Sequence, residues 1–496
     1  METLKFSILQ ISDLHKDSDF NYNQLIDSLK SDIANYAKLG IYPVKYIVVC
    51  GDLIQGTRNT DIAKGNQDIQ RQYEEVSIFL HNLVDVFLNG DISRLIIVPG
   101  NHDVNRAVSS NSMKRIDASE QEKVQKSYWE RYGKKQIYRF DWKTLSFMQI
   151  IDEKFYISRF DSFVTFFNRF YSSIGRTFPI NPEEDASLIA FPDDKIAFAC
   201  FNSCCQLDHL NVMGTINENA LHCIYGGLSG CYSKGYLTLG VWHHHIYGVP
   251  HRCDFMDMNI TKSMACNHIL VGLFGHQHKS EVVEELNDLA EDIERDKMHL
   301  ISSGTLFGSR KEMLPGVKRQ YNLINVDIDN GSANLTVFGR EDKMNDANYP
   351  IWGEKHLPRG KKFLSFQVPL NKLSDDDLIR IIDEETRESG DFKNGILRMK
   401  QLGNPIKQGF VDEYIQQLRL KGEDLDFILN VFKRPLSNME YCYLMQASIL
   451  KNDVDVVKNL IGMSPYKDSA DILVTSQVAE GVKFIRKYRK PWEKYQ

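Results

Sequence analysis

Residues 95–103 read LIIVPGNHD. Four aliphatic residues in a row, three of them β-branched, suit a strand buried on both faces. Pro99 and Gly100 stop the run, and Asn101-His102-Asp103 follow at once. A buried strand emptying into a polar, metal-ligating cluster decides the fold, because the pattern recurs. Leu4–Ile11 runs into Asp13-Leu14-His15, and Tyr46–Cys50 into Gly51-Asp52. Tyr236–Trp242 runs into His243-His244-His245, and His268–Phe274 into Gly275-His276-Gln277-His278. Ile196–Phe201 is a further apolar run of the same kind. Between the first two strands Leu25, Ile26, Leu29, Ile33 and Ala37 recur at helical spacing, and between the second and third Ile69, Val76, Leu80 and Leu83 do so. Strand–helix–strand alternation predicts an α/β layered fold. In open α/β sheets ligand sites lie outside the carboxyl ends of the strands, so the five clusters are expected to converge on one edge.

Composition sets the bounds around that centre. At ~100–200 residues per domain, 496 residues allow several domains. Sixty Lys+Arg against 66 Asp+Glu give a formal charge of −6, which excludes a uniformly basic nucleic-acid protein but leaves room for a local groove. Nine cysteines without a CxxC pair, two of them the adjacent Cys204 and Cys205, read as reduced thiols of a cytoplasmic protein. The opening METLKFSILQISDLH reads as a strand, not a signal peptide. No apolar run approaches the ~20 residues that span a bilayer, so no membrane partner is expected.

The clustered residue types are those of a divalent metal site. Asp and Asn offer hard oxygens, His offers imidazole nitrogen, and no thiolate is included, which points to catalytic Mn, Fe, Zn or Ni rather than structural zinc. In Asp-x-His and His-x-His, residues i and i+2 of an extended segment point the same way and can reach one centre. Glycines 51, 100 and 275 let the backbone turn sharply beside it. Asp13, His15, Asp52, Asn101, one of His243–His245, His276 and His278 make seven candidate ligands, enough for two ions sharing one carboxylate. Seven of the 14 histidines lie in these clusters, so the histidine content is largely the site.

The ordered set DLH, GDL, GNHD, HH and GHQH, each after an expected strand, resembles the calcineurin-like metallophosphoesterase superfamily over residues 1 to about 345. The resemblance implies a four-layer αββα sandwich around a dinuclear centre. It implies that Asp13, His15, Asp52 and His278 hold one metal and that Asp52, Asn101, His243 and His276 hold the other, with Asp52 bridging. His243 is chosen because it directly follows the apolar strand, and His244 is the alternative ligand or substrate contact. The resemblance further implies that His102 contacts the scissile phosphate and acts as general acid or stabiliser, and that Asp103 orients it. Phosphoprotein phosphatases of the superfamily carry GDxxDRG and GNHE. Here Gly51-Asp52-Leu53-Ile54-Gln55-Gly56 and GNHD stand instead, and the Arg that grips a monoester is absent, with Arg58 nearby. The GDL and GNHD forms resemble the branch of cyclic-nucleotide phosphodiesterases and SbcD/Mre11-type nucleases, and the run 240–258 is similar to uncharacterised bacterial members, some encoded near defence genes.

The expectation is therefore a two-metal phosphodiesterase, most readily with Mn, in which a metal-activated hydroxide attacks nucleic acid. The alternatives are a phosphodiesterase or phosphatase on cyclic or small nucleotides, and a metal-domain scaffold with a partner-binding helical C-terminus. The expected domains are a metallophosphoesterase domain (1–345), a linker (346–362) and a separate, mainly α-helical C-terminal domain (363–496). Residues 104–190, rich in aromatics, read as a helical insertion with its own small core, either packing alone or shaping access to the site. In the C-terminal part, Ser374 with Asp377 and Ser437 with Glu440 resemble capping boxes. Basic and acidic residues balance over 363–496, but the end is basic and aromatic. Lys483, Arg486, Lys487, Arg489 and Lys490 are candidate nucleic-acid contacts, set against a solvated terminal helix with one packed face. These helices can alternatively carry self-association or a partner ATPase.

Overall fold

The computed structural model describes residues 3–15, 22–38, 40–130, 136–247, 254–256, 258–285, 298–307, 317–344, 349–356, 360–420 and 425–488. The chain divides into two compact units, residues 2–372 and 373–496.

In the first unit, β1 (Leu4–Ile11), β2 (Val44–Cys50) and β3 (Leu95–Val98) lie parallel and side by side. Both faces of each are covered. Phe6, Ile8, Tyr46, Val48, Ile96 and Val98 point into one core, whereas Leu9, Ile11, Ile47, Val49, Leu95 and Ile97 point into another. That is why these strands appear as unbroken apolar runs rather than alternating ones. A three-stranded sheet follows, made of β4 (Met113–Arg115), β5 (Tyr138–Asp141) and β6 (Ser146–Ile150). The next six strands form a second large sheet: β7 (Ser187–Phe191), β8 (Ile196–Cys200), β9 (Leu237–Val241), β10 (Val271–Phe274), β11 (Glu281–Glu285) and β12 (Met298–Ser302), in the order β11-β12-β10-β9-β8-β7. The chain then returns to the first sheet with β13 (Gln320–Asp329), β14 (Ser332–Asp342), β15 (Trp352–Glu354) and β16 (Leu364–Pro369). Its order is β15-β14-β13-β1-β2-β3, with β16 also on β14.

The two large sheets share one core, in which Phe6, Ile8, Tyr46 and Ile96 meet Phe198, Leu239, Val271 and Ile301. Outside the first sheet lie the helices Tyr22–Ala37 and Ile62–Phe87, through Leu25, Leu29, Ile69, Val76 and Leu80. Outside the second lie Glu218–Ser233 and Met258–Cys266, through Leu221, Leu228 and Met264. The result is the expected αββα sandwich.

Two local expectations change. Residues 104–190 are not wholly helical, since they contain the small sheet and β7, which joins the second large sheet. Nor do their aromatics mainly form a core of their own. On the helix Asp161–Phe170, Phe163, Phe166, Phe167 and Phe170 belong to the core beneath Ile62–Phe87, and Phe166 stacks on Tyr73 at 4.8 Å. Met113, Ile150 and Tyr156 make a small separate cluster, Val104 and Phe160 join Cys204 and Leu207 in another, and the Phe147 ring of the small sheet contacts those of Tyr128 and Phe140. The units also do not part at residue 362. β16 pairs with β14 from Ser332↔Pro369 to Val337↔Leu364, and the second unit begins at Leu373.

The second unit is helical. Ser374 and Asp377 form the reciprocal capping box of the helix Asp375–Ser389, which ends at Gly390 with φ +68°. Ser437 caps Asn438–Leu450 by accepting from the Glu440 amide, and Asp453 caps Val454–Ile461. On the last helix, Ile472–Tyr488, Lys483, Arg486 and Lys487 are exposed while Phe484 is buried against Tyr441 and Met445. Arg489 and Lys490 lie outside the described residues. Among the described residues every cysteine is a free thiol, Cys204 and Cys205 included.

Candidate metal centre

The loops after β1, β2, β3, β9 and β10 meet above the carboxyl ends of both large sheets. Backbone bonds lash the first two together: the amides of Asp13, Leu14 and His15 donate to the carbonyls of Gly51 and Asp52 at 2.8–3.1 Å. The Gly275 amide donates to the His243 carbonyl at 3.0 Å, joining the loops after β9 and β10. Close approach is steric necessity here. A Cβ on Gly100 would fall 2.1 Å from the Asp52 nitrogen, and one on Gly275 1.8 Å from Ser12 Oγ.

All seven expected ligands are brought together. His278 Nε2 lies 3.3 Å and His15 Nε2 3.6 Å from Asp13 Oδ1, and the two imidazole nitrogens are 3.0 Å apart. His243 Nε2 and His276 Nδ1 each lie 2.9 Å from Asn101 Oδ1 and 3.2 Å from one another. Asp52 Oδ2 belongs to both groups, 3.7 Å from His15 Nε2 and 3.3 Å from His243 Nε2. Atoms bound at ~2.0–2.2 Å to one ion are themselves roughly 3.0–3.5 Å apart, so these spacings suit two ions with Asp52 between them.

Local chemistry suits a bound cation. Asp13 is fully buried; its Oδ2 accepts from the His276 amide and Ser12 Oγ, but its Oδ1 has no hydrogen-bond partner. Such a carboxylate oxygen is costly unless a cation meets it. Burial alone would raise the Asp13 and Asp52 carboxyls, but the neighbouring imidazoles outweigh it and hold both well below the usual range. Burial opposes charge on His243, yet the Asp52 carboxylate lifts it to about 9, and a divalent ion held there would take the place of that proton. Burial and the His243 charge push His276 down to about 3. The backbone is strained in the same place. Asp13, His15, Asp52, His276 and His278 all have φ between +40° and +76°, a region that L-residues occupy at a cost of order 1 kcal/mol each. The residues present therefore fit two divalent ions.

Of the three consecutive histidines, His243 faces the centre. Its Nδ1 meets the Cys50 carbonyl at 2.8 Å, which turns Nε2 inward. His244 is buried behind the ligands, its Nδ1 2.9 Å from Ser203 Oγ and its ring 4.7 Å from that of His276. His102 stands beside His15, ring centroids 4.6 Å apart. The expected role of Asp103 is corrected: it does not orient the His102 ring. Its carboxylate accepts from the amides of Gly100 (2.8 Å) and Leu53 (3.3 Å) and from Tyr73 Oη (3.0 Å), pinning the two loops to a helix. Burial, reinforced by the Asp52 charge, pushes Asp103 up to about 7. The His102 ring is oriented instead by the Gln55 carbonyl, 2.8 Å from Nδ1. Gln55 and Ser203 were not singled out from sequence. Ser203 follows a strand end like every ligand, and that position was the available signal.

Fold and site together define a dinuclear, divalent-metal-dependent phosphoesterase. A family model described as calcineurin-like phosphoesterase matches residues 6–280, and the chain belongs to that family. The protein is a metal-dependent hydrolase of phosphoric esters. No curated protein matches it in sequence. Similar solved structures include a dimetal phosphatase from Danio rerio (13% identity, 68% of this chain and 97% of that one, TM-score 0.34). PhoD is similar at 9% identity (75% and 72%, TM-score 0.37), and a Vps29 mutant from Entamoeba histolytica at 9% (74% and 100%, TM-score 0.24). Among the described residues no helix is long and apolar enough to cross a membrane.

Proposed function

We propose that this phosphoesterase cleaves phosphodiesters, that nucleic acid is its substrate, and that manganese is its working metal. The observation that carries the diester reading is at Gly56. In the resembled phosphoprotein phosphatases this position holds the Arg that balances the second charge of a monoester. Here φ is +74°, and a Cβ would fall 2.7 Å from the His102 carbonyl oxygen, so a side chain cannot be accommodated without moving His102. A diester carries one negative charge and does not need that Arg.

Asp13, His15, Asp52 and His278 would hold one ion and Asp52, Asn101, His243 and His276 the other. Bound there, the pair would lower the pKa of a coordinated water toward ~7 and neutralise charge on the phosphate. The Asp52 carboxylate holds the two halves together and, through Oδ1, accepts from the His102 amide at 2.8 Å. The Gln55 carbonyl keeps His102 Nδ1 occupied and so directs Nε2 toward the substrate, where the ring stabilises the phosphate or returns a proton to the leaving oxygen. Burial holds the pKa of the ring below that of a free imidazole, more than the Asp52 charge offsets. Exposed Arg58 and Arg106, close in sequence to Gly56 and His102, favour a polyanionic substrate over a small one.

The test is a screen of purified protein with Mn²⁺ on bis-p-nitrophenyl phosphate, p-nitrophenyl phosphate, single-stranded DNA, duplex DNA, RNA and cyclic nucleotides. Diester and oligonucleotide cleavage that Asp52→Ala abolishes is expected. Monoester turnover alone overturns the diester reading, and cyclic-nucleotide turnover without oligonucleotide cleavage overturns the nucleic-acid reading.

A further inference from the structure

We infer that Ser203 is the positioning residue that selects which of His243, His244 and His245 enters the metal centre; this rests on the assignment of His243 as a ligand. Ser203 is fully buried on the loop after β8. Its Oγ lies 3.1 Å from the His243 amide, 3.1 Å from the His244 amide and 2.9 Å from His244 Nδ1. A hydroxyl has two lone pairs and one proton. The two amides take the lone pairs, and the proton is left for His244 Nδ1. Every bonding site of the hydroxyl is spent on this one dipeptide.

The arrangement is enforced from both sides. The Ser203 carbonyl accepts from the Thr215 amide at 2.9 Å, which fixes the loop that carries the hydroxyl. Gly214 covers the His244 ring so closely that a Cβ would fall 2.4 Å from Cγ. Trp242 Nε1 donates to the His244 carbonyl at 2.9 Å. With the buried His244 ring seated between Ser203 Oγ and the His276 ring, 4.7 Å from the latter, and both amides fixed, His243 lies against the Cys50 carbonyl and its Nε2 enters the centre. Without the hydroxyl, two buried amides lose their acceptor and the histidine run loses its register. The affected ion would be the one that His243 helps to hold with Asn101 and His276, since His243 is the ligand that Ser203 positions.

The experiment titrates metal-free full-length protein with Co²⁺, reading the visible d–d absorption and the bound metal after dialysis, alongside circular dichroism. Ser203→Ala is expected to lower affinity at one of two sites by about 10–100-fold and leave the other in place. Ser203→Thr, which keeps the hydroxyl, is expected to restore most of that loss. Gly214→Ala forces the His244 ring off its seat without touching Ser203 or His243, and the same single-site loss is expected. It decides the matter if Ser203→Ala does not fold. Folded variants that bind two ions as the parent does, while His243→Ala loses one, overturn the positioning role. If His243→Ala itself binds two ions normally, the ligand assignment fails instead.

Discussion

Two fully buried carboxylates in this molecule have opposite surroundings. Asp208 is complete. Its Oδ2 accepts from Arg139 Nε at 2.6 Å and Tyr156 Oη at 2.8 Å, and its Oδ1 accepts from the amides of Leu210 and Asn211 at 2.8 and 2.9 Å. Asp13 is equally buried but keeps one oxygen without a hydrogen-bond partner, facing two imidazoles. The first carboxylate has its cation built into the chain, whereas the second has the surroundings of a metal ligand. The backbone draws the same line, since Asp13 has φ +52° and the residues around Asp208 are absent from the left-handed region. Burial of charge is thus no functional signal by itself. Burial with an unmet oxygen, in strained backbone, is.

The comparison can be broken most severely at Asp52, the oxygen shared by both metal groups. Asp52→Ala should reduce diester turnover by roughly 10³-fold or more, because it removes the bridge and the acceptor of the His102 amide together. The measurement is kcat/KM on bis-p-nitrophenyl phosphate, and a loss below about tenfold would contradict the shared-ligand arrangement. Asp208→Ala should do the reverse. It strands a buried guanidinium and is expected to cost about 3–5 kcal/mol of stability in urea unfolding, with metal stoichiometry unchanged in the folded protein. The third difference is reversible. Saturating metal-free protein with Mn²⁺ at a hundredfold excess over Kd should add about 2.7 kcal/mol per independent site, seen as a rise in Tm. No such rise would mean that the unmet oxygen of Asp13 is not completed by metal.

How much of this was legible in sequence follows from what is local. Strand, stop and polar cluster are consecutive, so LIIVPGNHD and its four counterparts placed every metal-side residue at a strand end. The capping box at Ser374 and the N-cap at Ser437 are equally local, although Glu440 accepts from the Leu436 amide instead of closing a second box. What was not legible depends on partners distant in sequence. His243, chosen for its place directly after the strand, does face the centre, but the groups that turn it inward, Cys50 and Ser203, do not show in the order of the three histidines. Asp103 follows His102 in the chain, yet the two side chains serve different neighbours, Tyr73 in one case and Gln55 in the other. The aromatics of Asp161–Phe170 show an apolar face but not which core covers it. β16 follows a Pro/Gly-rich stretch, and its strand character comes from pairing with residues 332–337, about thirty positions earlier.

The gentlest way to sharpen the comparison is Tyr156→Phe, combined with a pH series. It removes one of the four bonds to Asp208 and also the acceptor of Arg139 Nη2, while leaving the Arg139 Nε–Asp208 pair, so the expected cost at neutral pH is about 1–3 kcal/mol. The sign of its pH dependence is fixed. Burial raises the Asp208 carboxyl, but the Arg139 charge and the bonds from the Leu210 amide and Tyr156 outweigh it, so the folded pKa lies below the unfolded one. A carboxyl depressed in this way contributes stability above its unfolded pKa of ~3.9 and loses it as pH falls below that value. Tyr156→Phe weakens the depression, so its deficit relative to the parent should be constant from neutral pH to about 5 and shrink below ~4. Urea midpoints across pH 3–7 test this on metal-free protein, where the centre makes the same contribution to both chains. A deficit that grows on acidification would mean that Asp208 is not the group Tyr156 serves.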